Sequence, residues 1–291
     1  MAIVRYQNIQ NTEVLFSNGP PFILTNLDGI GAVENELSTS TNYGSDGATK
    51  TSQRYVVRDI TIEGRLVAET PEDRDNLRQE LVRIFNRDLA GTLTLEMNNR
   101  RYLIDVEVSQ APEFKEDRLR YNHVPFQIML KALNPYWRDA SLYDALIPLS
   151  LTQNLFEFPL DIVNNFEFAT VKSGDIIEII NRGDVEVGAV FFMRFIRDVK
   201  NPRIYNVLEQ SFFGFKGTYQ PDVRFELSTV FRGKYARKII GDERINAMPE
   251  RLEGSTFLTL RQGSNYFQIQ AEEGVDGVLV DLKFQPLVIG V

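Results

Sequence analysis

The sequence predicts a mainly β protein in two parts: an α+β N-terminal domain with one helix, then a C-terminal antiparallel β-sandwich or jelly roll. Three observations lead there. Most apolar segments alternate with polar residues at period two, as half-buried strands do. A single stretch, after Thr70, has helical spacing and a helix start. Beyond Asp139–Pro148 the chain is short apolar runs cut by turn residues, with no helical stretch.

In the first part, Ile3-Val4-Arg5-Tyr6, Val14-Leu15-Phe16 and Phe22-Ile23-Leu24 read as strands, with a turn at Gly19-Pro20-Pro21 and another at Asp28–Gly31. No longer glycine pattern precedes a helix there, so a phosphate loop is not indicated. Ser38–Gln53 has almost no apolar side chain and is expected to be an exposed loop, either a plain connection or a segment ordered by a neighbouring subunit. Arg54–Val67 alternates, with Ile60, Ile62 and Leu66 on one face and Asp59, Thr61, Glu63 and Arg65 on the other.

At Thr70-Pro71-Glu72-Asp73 the period changes. A Thr oxygen can cap free N–H groups, Pro fits the first helical position, and acids suit the positive end of the helix dipole. Leu77, Leu81, Ile84, Phe85 and Leu89 then give a buried stripe, with Gly91 as its expected end. Leu93–Met97 and Tyr102–Val108 alternate around Asn98-Asn99, a pair that tolerates the positive φ of a tight hairpin. Ala111–Asn122 is charged and links to a strand at Val124–Leu133 as a solvated hairpin tip. Pro135 ends that strand, and Trp137 stands at the exit.

The predicted division is 1–137 as the first domain, 138–148 as linker and 149–291 as the sandwich. Strands are expected near Ile176–Ile180, Val185–Ile196, Arg203–Val207, Phe212–Phe215, Val223–Val230, Tyr235–Ile240, Ser255–Arg261, Tyr266–Ala271 and Val278–Phe284. Ala189, Phe191, Met193 and Phe195 should face its core.

Bulk properties narrow the function. The 291 residues carry 40 acidic and 32 basic side chains, a net charge of −8, with no concentrated basic run for gripping phosphates. Cys is absent, which removes disulfides, zinc–thiolate sites and thiol nucleophiles. No apolar run approaches the ~20 residues that span a bilayer, so membrane insertion is not expected. The N-terminus lacks a signal-peptide core, so a soluble product of a cytoplasm is expected.

Catalytic chemistry finds little support. The only His, His123, has no HxH or HExxH companion. The acidic pairs Glu116-Asp117, Asp242-Glu243 and Glu272-Glu273 fall at turns, where carboxylates do little acid catalysis. Arg182-Gly183-Asp184 reads as a β-turn. Phe212, Phe213 and Phe215 could stack on sugars but suit a core better. No catalytic, cofactor or metal residue is assigned, and the chain is read as a non-enzyme.

Several features together resemble the distal tail proteins of long, non-contractile-tailed phages, a phage tail-component family. They are Asp28-Gly29, the Gly44–Gly47 loop, Arg58–Ile62, the capped helix, Gly91-Thr92-Leu93, Asn134–Trp137, Asn181–Gly188, Asn201-Pro202 and Leu260–Asn265. Leu260-Arg261-Gln262-Gly263 lacks the Pro associated with that turn. The resemblance implies a structural hub of a tail tip or baseplate. By that resemblance its first domain, two sheets with a helix and a long hairpin, is expected to form a hexameric ring. Its sandwich is expected to be galectin-like or carbohydrate-module-like and to project outward. The implied partners are copies of itself, the tail tube protein, tail-associated hub or tape-measure proteins, and receptor-binding or other baseplate proteins. The implied location is the virion tail tip.

The polar segments long enough to reach a neighbour are Ser38–Gln53 and Ala111–Asn122, giving Ser38, Tyr43, Asp46, Lys50, Phe114, Lys115, Asp117 and Arg118 as candidate subunit contacts. An acidic ring would let DNA pass without sticking, and no specific nucleic-acid binding is expected. The competing reading is a carbohydrate-binding module for host cell-wall polysaccharide.

Overall fold

The computed structural model describes residues 3–44, 46–115, 122–140, 146–149, 151–154, 169–172 and 175–291. The chain divides into two compact units: Met1–Ser141 with Leu287–Val291, and Leu142–Pro286.

Unit 1 contains β1 (Ile3–Asn8), β2 (Glu13–Phe16), β3 (Phe22–Asp28), β4 (Asn35–Ser40), β5 (Thr49–Tyr55), β6 (Arg58–Val67), α1 (Pro71–Ile84), β7 (Gly91–Met97), β8 (Arg100–Phe114), β9 (His123–Ala132) and β10 (Trp137–Asp139). One antiparallel path runs β2-β1-β7-β8-β9-β6-β3. The two sheets that the resemblance implies are thus joined into one, through β8. This long strand pairs β7 along its first half and β9 along its second, with register shifts between Val108 and Gln110 and between Gln110 and Glu113. Such bulges bend a strand. The ends of the sheet approach each other, since the Leu24 N–H donates to the Ser17 carbonyl at 2.7 Å. Inside lie Tyr6, Phe16, Phe22, Phe85 and Phe126, all buried.

Helix α1 begins as its sequence dictates. The Thr70 hydroxyl accepts from the Asp73 N–H at 3.1 Å, and Pro71 opens the helix. The end differs from expectation. The helix stops at Ile84, and Phe85 caps it with φ −93° and ψ 49°. Phe85 turns inward and stacks on Tyr6 at 4.3 Å. Burying Leu81, Ile84 and Phe85 stabilises the unit by about 1.5–3 kcal/mol each. Gly91 belongs to β7, where a Cβ would lie 2.5 Å from the Tyr6 ring. The turn at Asn98-Asn99 forms as expected, with φ of 52° and 61°.

Unit 2 contains β11 (Ile147–Pro148), β12 (Leu151–Asn154), β13 (Ala169–Lys172), β14 (Ile176–Asn181), β15 (Val187–Phe195), β16 (Val199–Lys200), β17 (Arg203–Asn206), β18 (Ser211–Gly214), β19 (Thr218–Tyr219), β20 (Val223–Ser228), β21 (Tyr235–Ile240), β22 (Glu243–Asn246), β23 (Thr259–Leu260), β24 (Gly263–Gln270) and β25 (Val278–Phe284). The larger sheet runs β11-β25-β15-β20-β21-β22, with β23 beside β15, and the smaller runs β14-β24-β17-β18. Ala189, Phe191, Met193 and Phe195 are buried, as their alternation predicts. Phe191 meets Phe267 of the other sheet edge-on at 6.0 Å, which makes the unit an antiparallel sandwich. Ser255–Arg261 is strand only at Thr259–Leu260.

The last strand, β26 (Leu287–Val288), pairs with β10 through Trp137↔Val288 and Arg138↔Leu287. Unit 2 is therefore an insertion between two adjacent strands of unit 1. Leu287–Val291, expected within the 149–291 sandwich, group with unit 1.

Candidate assembly surface

The segment expected as a loop at Ser38–Gln53 is a β-hairpin arm. Strands β4 and β5 pair with each other and with no other strand among the described residues. Every residue in both strands is exposed. Side chains link the two strands: Arg54 pairs with Glu36 at 2.7 Å, and the Thr51 hydroxyl donates to the Ser38 carbonyl at 3.0 Å. Ser38 and Lys50 lie in the strands, and Tyr43 and Asp46 in the tip between them. Leu37 is 52% exposed, and Tyr43 is fully so. A two-stranded ribbon with no packed face is marginal in water, and both its edges present unpaired N–H and C=O groups.

The arm springs from a rigid base. Tyr55 packs edge-on against Tyr136 at 6.0 Å. Behind it, the buried Arg58 guanidinium donates to four carbonyls: Pro135 at 2.9 Å, Gly31 at 2.7 Å, Gly29 and Ile289. No ion pair reaches it among the described residues. Burial lowers its pKa from the ordinary arginine value. The Arg58 cation also lies 5.9 Å from the Trp137 ring centre. Gly29, at φ 84°, admits no side chain, because a Cβ would fall 2.0 Å from the Asp59 carbonyl oxygen. Sequence reasoning misses the role of Arg58, although a signal is present: it shares the inward face of β6 with Ile60, Ile62 and Leu66.

The second group of expected contacts lies on a different hairpin. Strand β8 continues to Phe114 rather than ending at Val108. Phe114 is half-buried beneath Arg78 of α1, whose cation lies 4.8 Å from the ring centre. Arg78, Gln79, Val82, Arg83, Pro112 and Phe114 line a groove of about 440 Å³. Lys115 is exposed, with its N–H donating to the Pro125 carbonyl at 3.0 Å. Asp117 and Arg118 lie outside the described residues.

The residues weighed for chemistry have other settings. His123 is exposed at the start of β9. Glu272 and Glu273 flank Lys200 at 2.7 and 3.2 Å. Hydrogen bonds from Lys200 and then Asn201 lower the Glu272 pKa. Asp242 and Glu243 are exposed at the β21–β22 turn, and Glu116-Asp117 lies outside the described residues. Asn181 holds the turn at Arg182–Asp184, its amide oxygen accepting from the Gly183 N–H at 2.9 Å. Phe213 and Phe215 are core residues, while Phe212 lies half-buried under Arg203. Trp137, placed by its sequence at an exit, is fully buried in unit 1. Among the described residues no group of three potential metal ligands occurs, and no helix is long and apolar enough to cross a membrane.

Residues 10–129 match the model of the phage tail protein RIFT-related domain. No curated protein matches the chain. Among solved structures, the chain is similar to SPP1 Dit (gp 19.1), described as a paradigm of hub adsorption apparatus in Gram-positive infecting phages. The TM-score is 0.70 at 9% identity, over 98% of each chain. It is also similar to a chain of the phage P2 baseplate in its activated, calcium-bound conformation, with a TM-score of 0.51 at 10% identity over all of both chains. The protein is thus a mainly β chain whose residues 10–129 match the model of a phage tail protein RIFT-related domain and which shares, over nearly its whole length, the fold of SPP1 Dit.

Proposed function

We propose that this protein is a structural hub of a phage tail tip or baseplate, working through assembly rather than catalysis. Unit 1 forms a closed ring, six-fold by analogy with the family it resembles. The ring joins the tail tube to the baseplate and host-adhesion proteins, and the virion tail tip is its location. The fold likeness to a hub protein and a baseplate chain supports a tail role.

The observation that carries the ring is the arm. A hairpin exposed at every position gains order when it lies on another surface, and its free edges can pair with a neighbouring copy. An arm on one side and a receiving face elsewhere make a heterologous contact, which closes into a ring when the rotation allows. Unit 2, inserted with both ends on unit 1, is free to carry other baseplate proteins. Negative-stain images and multi-angle light scattering of the purified chain test this. Rings with a defined multiple of 33.4 kDa are expected. Monomer at all concentrations, together with chains that fail to complete tails in vitro, refutes it.

A further inference from the structure

The larger sheet of unit 2 carries a row of arginines on its outer face. Strand register places Arg194 of β15 directly opposite Arg224 of β20, Arg224 opposite Ile239 of β21, and Ile239 opposite Arg244 of β22. All three arginines are exposed, while Met193, Phe195, Val223 and Phe225 beside them point into the core. Strands about 4.8 Å apart put the first two guanidinia within reach of one anion, and the third about 10 Å further along the row. Arg237 flanks the row, stacked on Tyr235 at 4.0 Å.

Like charges directly opposite on neighbouring strands are destabilising, and this row lies in a chain of net charge −8. None of the four arginines takes part in an ion pair among the described residues. Of the acids on the same face, Glu226 lies opposite Arg237 and accepts from the Tyr235 hydroxyl, and Asp281 lies opposite Phe192, so neither faces Arg194, Arg224 or Arg244 across a strand pair.

We infer that this face binds a linear phosphate-bearing polysaccharide laid across the strands, with Arg194, Arg224 and Arg244 each engaging its anionic groups. Planar guanidinia match phosphate oxygens bidentately, which suits Arg over Lys here. A spaced row suits a polymer with repeating charge. An acidic protein partner would want a central, well-exposed apolar anchor, yet the row offers only Ile239 and Leu279, both half-buried. A nucleic acid would want open aromatic faces for its bases, whereas here Arg237 covers Tyr235 and Phe192 is half-buried. The inference goes beyond the hub reading and stands whether or not rings form.

The test is biolayer interferometry of the full-length chain on immobilised phosphomannan, with neutral mannan, poly-glutamate and a thymidine oligonucleotide in parallel. Phosphomannan should be bound, neutral mannan not, and the binding should weaken steeply with salt. The R194Q/R224Q variant should bind roughly tenfold or more weakly, equivalent to about 1.4 kcal/mol. It should melt no lower than wild type, since a repulsion is removed. R182Q, on a turn joined to the other sheet, should bind as wild type. Equal binding to neutral mannan, unchanged binding by R194Q/R224Q, or tighter binding to poly-glutamate or the oligonucleotide overturns the inference.

Discussion

Replacing Arg58 by Met tests the knot beneath the arm. The substitution keeps an apolar stem of similar length and removes the donors that serve the carbonyls of Gly29, Gly31, Pro135 and Ile289. A buried acceptor left without a donor costs about 1–3 kcal/mol. Water can reach the exposed Gly29 and Gly31, so the half-buried Pro135 and Ile289 carbonyls carry the loss, about 2 kcal/mol at the lower figure. Relief from burying a cation, the same effect that lowers the Arg58 pKa, offsets part of this, leaving a loss above about 1 kcal/mol. Arg58→Lys keeps the charge but loses the planar fork, so it should cost about half as much. Urea denaturation followed by tryptophan fluorescence reads unit 1 selectively, because Trp137 is the only Trp and is buried there. The midpoint should fall with little change in slope. A second transition from unit 2, followed by far-ultraviolet circular dichroism, should stay in place. A loss under about 1 kcal/mol, or an equal loss in both units, would refute the idea that Arg58 organises this region.

Other outcomes follow from the same geometry. Replacing Asn35–Arg54 with a short Gly-Ser turn, which keeps Tyr55 on Tyr136, should leave the unit 1 midpoint within about 0.5 kcal/mol while light scattering shows ring mass falling to monomer; persistence of rings would reduce the arm to a connection. Thr70→Ala should cost about 1 kcal/mol by tryptophan-monitored unfolding, since it strands the Asp73 N–H. Tyr6 gives a pH dependence. Burial, and then the charge of Glu107, raises its pKa to about 12. The unfolded chain loses this proton at about pH 10 while the folded one keeps it, so stability is full below pH 10 and falls as pH rises to about 12, by about 2 kcal/mol. Tyr6→Phe should flatten that part of the profile, and an unchanged slope would show that other groups cause it.

The start of α1 is legible in the sequence because Thr70, Pro71 and Asp73 act within one turn of chain. Its end is not: Leu89 continues the helical spacing, but the Asn86 side chain accepts from the Asp88 N–H and redirects the backbone. The arm reads as a loop because period two needs one dry face, and β4 and β5 have none. Arg58 interrupts an apolar face, a pattern that equally marks the beginning of a strand. The return of Leu287–Val288 to β10 leaves no trace, since two residues carry no period. The arginine row is invisible in sequence for a different reason. Arg194, Arg224 and Arg244 become neighbours only through the register of β15, β20, β21 and β22.

Because unit 2 is inserted, unit 1 cannot be completed first during synthesis. A ribosome that has finished Trp137 must translate every residue of the sandwich before the carbonyl of Ile289 exists. Until then the β10 edge lacks its pairing strand and Arg58 lacks its fourth acceptor. Nascent chains that stall within the sandwich therefore carry an unfinished first unit, and only those translated through Ile289 present the arm on a settled foundation.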